Sequence, residues 1–595
     1  MRISVTGNWK RWITVAVFFI FYFIYFFVYN RYIHIYQEQT QLFRFDWNYF
    51  TDFLSRPGGL ADYTGTFLTQ FYILPLAGAS TVTISGFAIY SISSTIFSKY
   101  KISRILLALI PVLLLAGLHS HYLYKLSYTV GLITSLGYFT IYISIRNRKS
   151  WYLYMFVGYP LLYFFAGGYA LLALLLCLIH EFFFSDRHSR FLVFFIFTIL
   201  GLGVPHLASL FIYFIKAGTE WTFFLPLSID LPAKYLLIIL FFYYPLVLIV
   251  LKVLMKYSTR SLISLGWNWK SIMNASLLIL ILEVLIIKFA FDRKTELLMR
   301  MDYCVQHSDW DGTLKLSSII PDNNRLAMYF TNLALYKSGR MGDELFHYRQ
   351  SGTGGLWLGW NSDGLTQFFG SEIYYHLAYI SEAYRWTFEG MVAKGPNPRS
   401  LKRLAVTSII NGDLGIAEKY LNVLNQSLFY KKWARYYLSY INNPGLISAD
   451  KEITEKRHFR IHNDFISSMK DYDIRLQQLL ENHSDNRMAF EYLMSSMLLE
   501  KNLRGFASNI YRLKELGYKS IPVHYEEAIL VYMRYSKVNI IPEGYAISKA
   551  TQINFSEYVN MVSSFGDKRK LAANNMYRKY GKTFWYYLEF SNQRK

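Results

Sequence analysis

The chain has 595 residues, of which 53% are hydrophobic, with a formal charge of +22. That hydrophobic content is high for a soluble protein, and the charge is uneven: residues 1–290 hold 22 Lys and Arg and 9 Asp and Glu, against 40 and 31 in residues 291–595. In the first half the positive charges form short clusters between apolar runs, and in the second they mix with acidic residues, so neither half reads as a nucleic-acid surface.

The first apolar run, Ile13 to Tyr29, is long and aromatic and lacks a small-x-small cleavage site, so it reads as an uncleaved signal anchor. A membrane span needs about 20 mainly apolar residues. Candidate spans are 12–30, 72–97, 104–119, 126–145, 151–166, 168–184, 191–215, 233–254 and 271–290, giving eight or nine. The fifth and sixth are joined only by Ala166-Gly167-Gly168, as a tight hairpin or a re-entrant pair. Basic residues cluster on every second loop: Arg2, Lys10 and Arg11; Lys99, Lys101 and Arg104; Arg146, Arg148 and Lys149; Arg187 and Arg190; Lys252, Lys256, Arg260 and Lys270. This alternation puts the N-terminus inside. Nine spans then put everything after Phe291 outside the cytoplasm, and an even count reverses that.

The loop at 30–70 is the longest of the first half. Gln41 to Leu54 reads as a helix stopped by Arg56-Pro57-Gly58-Gly59. At about 100° per residue, Phe43, Trp47, Phe50 and Leu54 form one stripe, widened by Phe45, Tyr49 and Phe53, while Arg44, Asn48, Thr51, Asp52 and Ser55 fill the other face. Such a helix lies in a membrane interface. Asp46 falls on the apolar side, where a carboxylate is costly unless it is paired or faces a wet cavity. One reading makes it a carboxylate suited to proton abstraction, with Glu38 as a second candidate. The other makes the helix shorter or rotated, with Asp46 solvated or acting as its cap. His119 and His121 stand at an outer helix end, where a shared metal requires a turn and interfacial side chains require none. Glu283 and Lys288 lie in the last span, spaced five apart, so Lys288 snorkels and Glu283 finds a partner on another helix. His206, beside Pro205, reads as a packing residue.

From about residue 300 helical patterns alternate with short polar breaks. Three stretches resemble tetratricopeptide repeats: Ala327 to Gly339 with a second helix from Met341 to Tyr348; Leu404 to Leu421 with Asn411-Gly412-Asp413 at the turn; and Ala489 to Phe506 with Lys501-Asn502 at the turn. That resemblance implies stacked helical hairpins. Ser351 to Gly364 lacks the Gly-Lys-Ser/Thr ending of a phosphate cradle and reads as a loop, in which Trp357 and Trp360 could form a stacking platform. The chain has no serine-nucleophile elbow, HExxH, Walker or EF-hand motif.

Arg56-Pro57-Gly58-Gly59-Leu60-Ala61-Asp62-Tyr63 with Phe67 to Phe71, Asn332 to Leu335, and Lys419-Tyr420-Leu421 with Phe429-Tyr430 resemble an uncharacterised family of bacterial polytopic envelope proteins. The architecture is also similar to GT-C membrane glycosyltransferases, which carry many spans and an acidic first outer loop with an interfacial helix. That similarity implies a polyprenyl-phosphate sugar donor, with or without a divalent metal, and a catalytic carboxylate at Glu38 or Asp46. Arg44, Trp47, His119, His121 and Glu283 are then substrate-binding candidates. The paired-acid signature of that class is absent. The expected fold class is all-α: residues 1–290 as a bundle in the bacterial inner membrane, and 291–595 as an extracytoplasmic tetratricopeptide-like domain. The expected partners are membrane lipid, a lipid-linked sugar and a protein bound by the repeats, with no nucleic acid. Competing with the glycosyltransferase are a non-catalytic envelope scaffold and a transporter or flippase. A catalytic protein predicts a cavity beside Glu38 and Asp46, and a scaffold predicts a packed bundle without one.

Overall fold

The computed structural model describes residues 8–100, 105–185, 190–216, 218–227, 234–257, 269–320, 324–360, 365–461, 472–566 and 568–591. Of the topology residues, Arg2, Lys101, Arg104, Arg187 and Arg260 lie outside the described residues, as does the end of the 351–364 loop. Among the described residues the fold is all-α. It divides into two compact units, 1–296 with 426–429 and 297–425 with 430–595.

In the first unit, α1 (Asn8–Ile24) continues through a π-helical turn at Tyr25–Tyr29. Three shorter helices follow: α2 (Arg31–Gln39), α3 (Trp47–Leu54) and α4 (Gly59–Thr69). Next come α5 (Pro75–Lys99), α6 (Ile105–His119), α7 (Leu126–Tyr142), α8 (Arg148–Phe156), α9 (Gly158–Ala166), α10 (Ala170–Phe183), α11 (Arg190–Phe211), α12 (Lys234–Tyr257) and α13 (Trp269–Ala290). Among the described residues five stretches are long and apolar enough to cross a membrane: Trp12–Tyr29, Pro75–Lys99, Arg148–Phe183, Phe191–Phe211 and Lys234–Leu254. They are fewer than the eight or nine expected. The helix α6 has only 15 residues and contains Pro111, and α7 has 17 with several Ser, Thr and Tyr. The expected fifth and sixth spans fall in one stretch, 148–183, broken where Gly167 takes φ +54°.

Small residues set the helix crossings, as is usual where lipid supplies no hydrophobic drive between helices. A Cβ added at Gly86 of α5 would lie 3.4 Å from the Tyr22 ring of α1 and 3.1 Å from Val112 of α6. One added at Gly117 of α6 would lie 3.2 Å from Ile286 and 3.3 Å from Ala290 of α13. These crossings bring α1, α5, α6 and α13 together around the polar groups described below.

The helix expected over 41–54 begins only at Trp47. Asp46 takes an extended conformation (φ −138°, ψ 141°), and its Oδ2 accepts from the Tyr49 amide at 3.2 Å. It is therefore the N-cap of α3, which is the physical role of an Asp just ahead of a helix. Tyr49 and Phe53 turn toward Tyr63 of α4, at ring distances of 6.2 and 5.5 Å, whereas Trp47 is 72% exposed.

The second unit starts within α14 (Arg293–Gln306) and continues through α15 (Trp310–Ser317), α16 (Arg325–Lys337), α17 (Met341–Glu344), α18 (Leu365–His376), α19 (Ile380–Lys394), α20 (Pro398–Asn411) and α21 (Leu414–Asn425). Then come α22 (Lys431–Asn442), α23 (Pro444–Ala449), α24 (Lys451–Phe459), α25 (Tyr472–Asn482), α26 (Arg487–Leu499) and α27 (Leu503–Asn509), with helical segments continuing to Phe590. Helices α18 to α21 pack each on the next. Two of the three expected hairpin turns join paired helices: Gly412, at φ +90°, between α20 and α21, and Lys501, at φ +61°, between α26 and α27. After Gly339 the expected helix over 341–348 is instead the single turn α17, followed by a 3-10 turn over Leu345–His347. Trp357 is no surface platform: it is buried and stacked on Tyr472 at 4.4 Å and 4°. Trp360 stands against Arg385, whose guanidinium lies 5.1 Å from its ring.

Candidate functional site

The first unit holds a layer of buried polar side chains built on α2. This helix is polar on average, yet Tyr32 through Glu38 are all buried. Asn30, His34 and Glu38 follow one another at intervals of four and so share one face, and they are 0%, 2% and 3% exposed. That face is fastened to the turn after α6. Asn30 Nδ2 donates to the His119 carbonyl at 3.0 Å. Gln37 Nε2 donates to the carbonyls of Tyr122 and Tyr124, each at 3.0 Å. The Tyr25 hydroxyl lies 2.7 Å from Ser120 Oγ.

His34 is sandwiched between the ring of Phe26, stacked at 5.3 Å, and that of Tyr72 at 4.6 Å. Burial, with His119 nearby, holds its imidazole down at about 3. His34 is thus neutral at physiological pH, and it acts as a hydrogen-bonding group rather than a cation. His119 Nε2 is 2.8 Å from Thr129 Oγ1, and that hydroxyl donates to Tyr124 OH at 3.4 Å. Six buried residues of this layer carry polar atoms with no hydrogen-bond partner among the described residues: Tyr22 OH, Asn30 Oδ1, His34 Nε2, Tyr72 OH, His119 Nδ1 and both oxygens of Glu283. Tyr22 is within electrostatic reach of Glu283, Tyr72, Tyr124 and Tyr25. Buried polar groups are nearly always paired. Here several lie together, so the layer offers a cluster of unmet donors and acceptors.

An apolar cavity of about 220 Å³ adjoins this layer. Leu132 and Tyr169, together with Leu225, Leu237, Leu240 and Phe241, contribute to its wall. Tyr169 is also a hydrogen-bonding neighbour of Tyr124. A continuous run of side chains thus links the apolar wall through Tyr169, Tyr124 and Thr129 to His119. Neither Glu38 nor Asp46 lines this cavity.

The structure brings Glu38 and His119 into this layer, and Glu283 into it from α13. It does not bring in Asp46, which is half-buried and engaged as a cap. Arg44 lies over the Tyr49 ring at 4.8 Å, and Trp47 packs beside Phe50 at 5.6 Å. Both belong to the α3 surface. His121 Nδ1 accepts from the Leu123 amide at 3.3 Å, while His119 turns to Thr129, so the two histidines do not converge on a metal. Among the described residues no group of three metal-ligating side chains forms in this layer. Sequence reasoning missed Tyr22, Asn30, His34, Gln37 and Tyr72. The four-residue spacing of Asn30, His34 and Glu38 was the available signal, whereas the tyrosines were indistinguishable from an interfacial aromatic belt.

No curated protein and no solved structure matches the chain. Residues 8–591 match one family throughout, spanning both units. The chain belongs to the family of unknown function DUF6057.

Proposed function

We propose that the protein is a membrane glycosyltransferase of GT-C type that transfers a sugar from a polyprenyl phosphate in the bacterial inner membrane. The observation that carries this reading is Glu38, a carboxylate buried to 3% exposure on the helix directly following the first membrane helix, in line with Asn30 and His34. In the proposed step Glu38 takes the proton of an acceptor hydroxyl. The acceptor oxygen bonds to the anomeric carbon as the bond to the donor's phosphate breaks, and polyprenyl phosphate leaves. His34, His119 and Tyr22 supply uncharged donors and acceptors to the sugar and phosphate. The cavity walled by Leu132, Leu237 and Phe241 takes part of the isoprenoid chain. With 148–183 counted as two crossings, broken at Gly167, and α6, α7 and α13 added, the crossings number nine; with the basic clusters, nine has the N-terminus in the cytoplasm and the second unit outside. There the α18–α21 array, tetratricopeptide-like in its sequential packing, receives an acceptor polymer or a protein partner.

The scaffold reading keeps one specific support: Glu38 is not among the residues that line the cavity. Deleting the gene separates the two readings. The transferase reading expects an undecorated surface glycan and a rise in one lipid-linked sugar, both restored by the wild-type copy. An unchanged lipid-linked sugar pool and glycan profile would leave the scaffold.

A further inference from the structure

We propose that the second unit carries a zinc site formed by His458, His483 and Asp485, independent of the membrane site. One ligand atom from each residue lies within 4.8 Å of the others. His458 Nε2 is already 3.1 Å from Asp485 Oδ2. The two imidazole rings have their centroids 5.2 Å apart at 55°.

Residues two apart on a helix diverge, so His483 and Asp485 need a turn to converge. They have one. The His483 amide donates to the Leu479 carbonyl at 2.8 Å, closing α25, and the Asn486 amide donates back to the His483 carbonyl at 3.0 Å. Asn486 then caps α26, its Oδ1 accepting from the Ala489 amide at 3.0 Å. The turn that holds two of the ligands is thus braced on both sides. His458 comes from the last turn of α24, a separate helix.

The electrostatics favour a cation. His458 and His483 stand at the C-terminal ends of α24 and α25, where helix dipoles attract positive charge. The basic neighbours of His458 are committed elsewhere. Arg457 donates to the carbonyls of Ile409 and Ile410, at 2.7 and 3.2 Å, and Arg460 to that of Asn411 at 3.2 Å. Lys456 donates to the His376 carbonyl at 2.9 Å. Two imidazoles and one carboxylate are the donor set of a zinc site with an open position, whereas magnesium and calcium call for oxygen ligands. His458 and Asp485 are exposed and His483 is half-buried, and rotation of the two exposed side chains toward His483 brings the three atoms to zinc–ligand distances of about 2.0–2.2 Å.

The test is calorimetric titration of the purified, tag-free full chain in detergent with Zn²⁺ alone, and with Ca²⁺ as the control. The expected result is one Zn²⁺ per chain and no matching Ca²⁺ event. His483→Ala and Asp485→Asn should each weaken Zn²⁺ by more than about tenfold, since even loss of a residue behind a ligand costs that much. Their circular dichroism and melting without metal should match the wild type. Zinc binding of the same strength and stoichiometry in the variants, equal binding of Ca²⁺, or no zinc binding by the wild type would overturn the proposal. Loss or survival of the glycosyltransferase reading does not alter any of these outcomes.

Discussion

Glu38→Gln is expected to reduce sugar transfer by roughly 10²–10⁴-fold, the usual contribution of a positioned general base. Gln keeps the size of the side chain and most of its hydrogen bonding, and it cannot accept the proton. The fold should persist, because Asn30 and Gln37 also fasten α2 to the 119–124 turn. Asp46→Asn is the contrast. Asn caps a helix about as well as Asp, so α3 and activity should both be retained. Asp52→Asn, on the exposed face of α3, should also be silent. The assay is complementation of the deletion strain, read as lipid-linked sugar and surface glycan, with membrane abundance measured in parallel. Full complementation by Glu38→Gln at normal abundance would remove Glu38 from the chemistry. A loss confined to Asp46→Asn would return the base to the sequence's first candidate.

Asp302→Ala is expected to be the most destabilising single change in the second unit, at about 3–5 kcal/mol, the cost of stranding one partner of a buried ion pair. Arg399 Nη1 lies 2.8 and 2.9 Å from the two oxygens of Asp302, and both side chains are 6% exposed. The pair ties α14 to α20, and Arg399 reaches Glu372 of α18 at 3.7 Å. Its guanidinium also sits over Phe368 and Phe369, at 4.8 and 5.0 Å, so without Asp302 the charge stays in an aromatic pocket with only the more distant Glu372, which Arg403 shares. Replacing both partners, as Asp302→Leu with Arg399→Met, should recover most of the loss, because apolar groups of similar volume carry no desolvation cost. Glu372 keeps Arg403 in that variant. Thermal melting of the full chain in detergent measures both. A double variant no better than Asp302→Ala would mean that the ion pair itself, not the stranded charge, holds the three helices.

The membrane character was legible because apolar runs are long and charges avoid them. The number of crossings was less so. The helices α6 and α7 are short and interrupted by Pro111 or by hydroxyl-bearing residues, so hydropathy and helix length disagree there. The error at 41–54 has a definite cause: Phe43 and Phe45 continue the aromatic pattern of α3 upstream of its true start. The capping signal, an Asp three residues before an amide it can reach, was present at Asp46 and Tyr49 and is the shorter-helix alternative that the sequence also supported. The polar layer was half visible. Glu38, His119 and Glu283 stood out as ionisable groups near apolar runs, but nothing in the linear order says that α2 folds back onto the end of α6 or that α13 crosses α6 at Gly117. In the second unit, Gly412 and Lys501 mark real hairpin turns. Gly339 marks a turn whose second helix stops after four residues, as Leu345–His347 tighten into a 3-10 turn.

The most direct measurement is consumption of a radiolabelled polyprenyl-phosphate sugar by the purified full chain in lipid nanodiscs supplied with an envelope-glycan acceptor. The reading predicts that wild-type protein releases polyprenyl phosphate and moves label to the acceptor, and that Glu38→Gln in the same nanodiscs does neither. Label that stays on the lipid with wild-type protein, using donor and acceptor extracts from the deletion strain, would contradict it.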